Sequence, residues 1–190
     1  MLLLPTDEQM VEQALAGDTD GFKTLVERHY AGVYRVARSI LKRSEDAEDA
    51  TQEIFVRAYQ ALPQYSGRGA FGAWLRRLTV NHCINRVQGA SARRASLCCS
   101  LDLMTDSLAA SSEADPEETL IRSEERDRIR FEINQLPASQ RAALGLRIID
   151  GLTYEEIASI MDVPVNSVRS WLHRGRARLK CALESEGVNA

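Results

Sequence analysis

Along most of this 190-residue chain apolar positions recur three or four apart, as in Phe71, Leu75 and Leu78 or Val165, Val168, Leu172 and Leu179. No stretch shows the strict alternation of a half-buried strand, so the pattern predicts an all-α protein. Helices are expected over about 7–16, 19–41, 44–62 and 71–88, with Ser44 as the N-cap of the third, acids in its first turn and Leu62-Pro63 as its stop. A polar, glycine-punctuated loop, PQYSGRG, separates the last two. From Gly89 to Pro116 the sequence GASARRASLCCSLDLMTDSLAASSEADP carries no apolar stripe and reads as a flexible linker. Periodicity resumes over about 117–136, 138–149, 153–161 and 165–183, broken at Leu136-Pro137, Gly151 and Val163-Pro164. The organisation expected is therefore two small helical domains, a four-helix N-terminal one (residues 1–88) and a C-terminal one (residues 117–190), joined by a flexible linker (residues 89–116).

Composition narrows the function classes. The Leu-rich start, Met1 to Pro5, is too short for a signal peptide, and no window approaches the roughly 20 apolar residues of a membrane span. A cytoplasmic protein with no direct membrane insertion is expected. Cys83, Cys98, Cys99 and Cys181 form neither a disulfide framework nor a C-x-x-C pair, and read as reduced thiols. The net charge of −3 hides two poles. Between Val163 and Leu183 stand Arg169, Arg174, Arg176, Arg178 and Lys180 with no acid, whereas Ser44–Glu53 holds Glu45, Asp46, Glu48, Asp49 and Glu53 with no base. Binding follows the local field, so an acidic chain can still meet nucleic acid.

The basic pole lies in TYEEIASIMDVPVNSVRSWLH, which has the spacing of a helix-turn-helix. Ile157 and the small Ala158 sit on the first helix, the turn falls at Met161–Val163, and Val168 and Leu172 face back into the core. Asp162 holds the turn position usually given to glycine, and aspartate tolerates the left-handed conformation better than most residues. On the second helix Asn166, Ser170, His173 and Arg174, flanked by Ser167 and Arg169, occupy the outer face, with Arg176 beyond. Short polar side chains and arginines on such a face suit base edges and phosphates in a major groove. A solvated amphipathic helix is the bland alternative, but it leaves the short preceding helix and tight turn without a reason.

Here LPASQRAALGLRIIDGLTYEEIASIMDVPVNSVRSWLHRGRARLK resembles the promoter −35 domain of bacterial sigma factors of the extracytoplasmic-function group. GFKTLVERHYAGVYRVARSIL, AEDATQEIFVRAY and FGAWLRRLTVNHCINR resemble that group's core-binding and −10 domain. The likeness spans about residues 7–184. Trp171 replaces a usual basic residue, Asn166 an often-found glycine and Asn85 an often-found aspartate. The resemblance implies a non-enzymatic initiation subunit that binds core RNA polymerase at the β′ clamp helices and β flap, binds promoter DNA, and is regulated by an anti-sigma factor that can hold it at the inner membrane face. It also implies Asp46, Asp49, Gln52 and Glu53 as core contacts, on a helix face whose like charges at i, i+4 and i+8 repel unless a basic partner arrives.

In YSGRGAFGAWLRRLTVNHCINR, Trp74, Arg77, Asn81 and Asn85 form a stripe able to hold a melted strand, and Tyr65 and Ser66 stand where a flipped base could be pocketed. Trp74 has a second reading, a core anchor beside Phe71 and Leu78, the commoner fate of tryptophan in such company. No cofactor, metal or small-molecule substrate is expected: His82 and Cys83 point about 100° apart on a helix, without further ligands at suitable spacing. The linker, of about 27 residues, reaches at most about 90 Å, enough for a promoter spacer of about 60 Å. A stand-alone helix-turn-helix regulator is the other class to weigh. It would bind DNA without polymerase, normally as a two-fold dimer.

Overall fold

A computed structural model describes residues 5–65, 67, 70–96 and 127–184, without the side chains of residues 91–96 and 182–184. The described residues form α1 (Asp7–Leu15), α2 (Thr19–Ile40), α3 (Ser44–Ala61), a single 3-10 turn (Leu62–Gln64), α4 (Phe71–Ser96), α5 (127–135), α6 (Ala138–Ile148), α7 (Tyr154–Met161) and α8 (Val165–Glu184). No strand occurs among them. Cys98, Cys99, Ser66 and the expected helical stretch before residue 127 lie outside the described residues.

Local chemistry sets the helix starts. Thr6 and Gln9 cap α1 reciprocally, Thr6 Oγ1 accepting from the Gln9 amide and the Thr6 amide donating to Gln9 Oε1. Asp18 accepts from the Asp20 amide at the head of α2. Ser44 is not the N-cap of α3. Arg43 takes the extended cap conformation, without a side-chain hydrogen bond, and Ser44 is already helical, so the favourable start rests on Glu45 and Asp46 against the helix dipole. Pro63 ends α3 as expected, through the 3-10 turn.

The stretch read as linker begins later than expected, because α4 runs through Gly89 to Ser96. Alanine and arginine in ASARRAS propagate a helix already nucleated, and one interior glycine costs only about 1 kcal/mol.

In the N-terminal half α2 packs against α1, α3 and α4 around Leu25, Val36, Ile40, Ile54, Leu62, Phe71, Leu75 and Val80, all fully buried. In the C-terminal half α6, α7 and α8 enclose Leu146, Ile157 and Leu172. The halves also touch each other, α2 against α6 and α4 against α7.

Candidate nucleic-acid interface

The C-terminal surface is built by a tight joint. Thr153 caps α7, accepting from the Glu156 amide while the Thr153 amide and hydroxyl donate to Glu156 Oε2. These bonds, the backbone one first, hold the Glu156 carboxyl below its ordinary range. Asp162 ends α7 in the left-handed region, φ 55° and ψ 50°, as its sequence position anticipated. Its amide and that of Val163 both reach the carbonyl of Ala158. The chain is thereby turned into α8, whose Val168 and Leu172 close the core behind Ile157 and Ala158.

Gly175 sets how near α8 lies to α6, since a Cβ there would stand 2.6 Å from Leu144 Cδ1. On the outer side Asn166, Arg169, His173, Arg174 and Arg176 are exposed, and Ser167 and Ser170 half-buried between them. Arg178 is engaged elsewhere, in a 2.8 Å pair with Glu132. Trp171 is half-buried against the core, so it takes a packing position at the edge of that face.

On α4, Arg77, Asn81 and Asn85 are exposed along one stripe. Trp74 is half-buried against Phe71 and Tyr65, ring centroids 5.4 Å from each. Tyr65 closes the aromatic group edge-on to Phe71 at 5.7 Å. Burial, with Glu8 and Asp7 nearby, pushes the Tyr65 phenol up, keeping it a neutral donor. Trp74 thus packs as the sequence's core-anchor reading expected, while part of its ring stays exposed.

The acidic face of α3 presents Asp49, Gln52 and Glu53 to solvent with Asp46 half-buried beside them. An internal base already lies against it. Arg86 of α4 reaches Glu53 at 3.1 Å, Asp46 at 3.4 Å and Asp49 at 3.7 Å. His82, its side chain 7% exposed, brings Nε2 to 3.2 Å from Glu53 Oε2 without hydrogen-bond geometry. Burial first, then the Arg57 and Arg86 charges, lower its pKa despite Glu53, so the ring is neutral at pH 7. Arg86 was not singled out by the sequence, and His82 was weighed there only as a metal ligand. Their i, i+4 spacing on α4 is visible there, but that it faces the α3 acids depends on how two helices pack. Cys83 is buried, its thiol pushed up to about 12 by desolvation. Among the described residues no cluster of His, Cys, Asp and Glu is arranged to hold a metal ion, and no helix is long and apolar enough to cross a membrane.

Comparison with known proteins gives this geometry a context. Residues 25–93 match the family model of Sigma-70 region 2, and residues 126–179 that of Sigma-70, region 4. The ECF RNA polymerase sigma-E factor of Escherichia coli is 40% identical over 179 residues, 90% of this chain and 91% of that protein. The RNA polymerase sigma-H factor of Pseudomonas aeruginosa is 32% identical over 187 residues, 97% of each. Among solved structures, CnrH in complex with the cytosolic domain of CnrY aligns with a TM-score of 0.64 at 25% identity, covering 95% of this chain and 99% of that one. The sigma factor RpoE of Bartonella quintana, solved with the anti-sigma factor NepR, aligns at 0.68 over 86% of this chain and 96% of that one; at 20% identity this speaks for the fold alone. With both sigma-70 regions in order and relatives alike over nearly their whole length, the chain belongs to the extracytoplasmic-function group of sigma factors.

Proposed function

We propose that this sigma factor docks on core RNA polymerase through Asp46, Asp49, Gln52 and Glu53, reads the −35 element with α8, and holds the melted −10 strand along α4 and the loop before it. It is a positioning subunit and not an enzyme. The observation that carries the reading is the face of α8, where Asn166, Arg169, His173 and Arg174 stand exposed behind a turn fixed by left-handed Asp162. On the groove side Arg169 and Arg174 supply bidentate donors, Asn166, Ser170 and His173 shorter polar groups, and Arg176 a phosphate contact. On α4, Trp74 and Tyr65 offer faces for stacking, and Arg77, Asn81 and Asn85 bind strand and base edges. Clamp helices of β′ meet the α3 acids, and the β flap engages the C-terminal domain. In the cytoplasm an anti-sigma factor, of the kind that accompanies the Bartonella protein in its solved complex, covers these surfaces and can tether the chain to the inner membrane.

Size-exclusion co-elution with core polymerase and run-off transcription from a promoter library test the proposal together. A complex that starts transcription at one class of −35/−10 promoters is expected. A protein that ignores core polymerase yet binds paired duplex half-sites as a dimer would instead be a stand-alone regulator.

A further inference from the structure

Four residues carry the proposed dock, and three of them are like charges on one helix. Asp46, Asp49 and Glu53 lie at i, i+3 and i+7 of α3, a spacing at which neighbouring carboxylates repel and turn away from one another. In the structure they converge instead on one guanidinium. Arg86 of α4 donates from Nη1 to Glu53 Oε1 at 3.1 Å and from Nη2 to Asp46 Oδ1 at 3.4 Å, and the same Nη2 stands 3.7 Å from Asp49 Oδ2. The other oxygen of Glu53 faces His82 Nε2 at 3.2 Å. Two helices thus hold one side-chain arrangement, through bonds between positions 33 and 40 apart in the chain.

The side chains of Asp46, Asp49 and Glu53 keep 46%, 66% and 51% of their surface exposed, whereas Arg86 keeps 28%. Arg86 therefore lies behind the acids, on the α4 side, and the acids stay open to a partner arriving from solvent. Ion pairs this exposed contribute little to stability. Nor does the network serve attraction: three carboxylates and one guanidinium leave the face at −2, where the acids alone would give −3. What a planar, rigid fork supplies and a bare charge does not is direction, since its nitrogens fix which oxygen of each carboxylate turns inward. At Asp46 and Asp49 one oxygen is spent on Arg86 and the other is left for the partner.

We infer that Arg86 is a positioning residue of the polymerase dock, gathering the Asp46, Asp49 and Glu53 carboxylates before the basic partner arrives; this rests on the docking face proposed above. Ordering a rotamer-rich side chain opposes association whenever it happens at the interface, and here it is done within the free protein. Arg86 acts through the acids, from behind them. Its signature in the rates is opposite to that of a charge. A positive charge on the face slows the approach of a basic partner, whereas oriented acids slow its departure.

The test is the association and dissociation kinetics of the full chain on purified core polymerase, with the side-chain order of the three acids in the free protein followed by nuclear magnetic relaxation. Arg86→Lys keeps the charge and loses the fork. It should dissociate about five- to ten-fold faster, with an association rate within about two-fold of wild type, and Asp46, Asp49 and Glu53 should gain side-chain mobility in the free protein. Arg86→Gln loses the charge as well, and should associate about two- to three-fold faster at low salt while still dissociating faster. Both variants should keep the wild-type circular dichroism. Unchanged dissociation of Arg86→Lys overturns the positioning role, and loss of its helicity would make the residue structural and overturn it too. Faster dissociation with acids no more mobile than in wild type also overturns it, because Arg86 would then touch the polymerase itself. Each of these results leaves the dock in place. The docking reading fails separately, and takes the positioning role with it, when a folded Asp49→Arg/Glu53→Arg binds core polymerase as wild type does.

Discussion

Asp162 places a Cβ in the left-handed region, where an L-residue is disfavoured by about 1–2 kcal/mol and aspartate by less. Asp162→Val should therefore destabilise the protein by about 1–2 kcal/mol in urea unfolding. Asp162→Gly should stay within about 1 kcal/mol of the wild type, because relief of the Cβ is offset by the extra freedom glycine gives the unfolded chain. That turn was legible in the sequence because its determinants lie within ten residues of each other. The neutral His82 was not. Its environment comes from Glu53 and Arg57 on another helix, 29 and 25 positions away. Its folded pKa lies below the ordinary 6.5, so on acidification the unfolded chain takes up this proton first. Stability linked to His82 is then complete above about pH 6.5 and is lost as pH falls towards the depressed folded value. Melting temperatures of wild type and His82→Gln at about pH 7.5 and about pH 5.5 check this. The wild type should lose more on acidification than the variant, and an equal loss in both would show that His82 does not titrate in this window.

For single helices, the sequence pattern identified which residues share a face but could not say what already lies against it. The arginines of α8 beyond its short polar side chains were read together as one basic pole, yet Arg178 is paired with Glu132 of α5 while Arg174 is exposed. Arg174→Ala should weaken binding to a −35 duplex by about 1–3 kcal/mol and relax preference at one or two base pairs. Arg178→Ala should leave base preference unchanged and alter stability by no more than about 1 kcal/mol, the range of a surface pair. Gel shifts over a set of single-base variants separate the two. On α3 the acids expected to await a basic partner have Arg86 and need not repel unrelieved. Asp49→Arg/Glu53→Arg would turn that face against both Arg86 and a basic clamp. Because the internal pairs are partly exposed, stability should fall by about 1–2 kcal/mol at most, whereas like charge across the docking interface costs several. The variant should remain helical by circular dichroism and stop co-eluting with core polymerase; a folded variant that co-elutes like wild type would rule out this face as the dock.

The two-region, all-helical organisation follows from the helical period and its interruption, both local properties of the chain. How the regions meet does not, since the Arg141–Ile40 bond joins positions 101 apart and no periodicity encodes it. The helix expected to stop at about residue 88 continues to Ser96 for a related reason: loss of an apolar stripe marks where a helix leaves the core, not where it ends. Between Ser96 and Asp127 lie 30 residues, which reach at most about 100 Å when extended. Reading both promoter elements requires roughly 60 Å, so at full extension about 18 of these 30 residues would cover the span. Removing ten residues from within 97–116 should leave about 65 Å of reach and preserve initiation, whereas removing sixteen leaves about 45 Å and should abolish it at promoters that need both elements. Neither deletion touches the described helices, so co-elution with core polymerase and −35 duplex binding should persist in both. Run-off transcription against deletion length should consequently fall in a step and not in proportion, and a gradual decline starting from the first residues removed would show that the tether contributes contacts of its own.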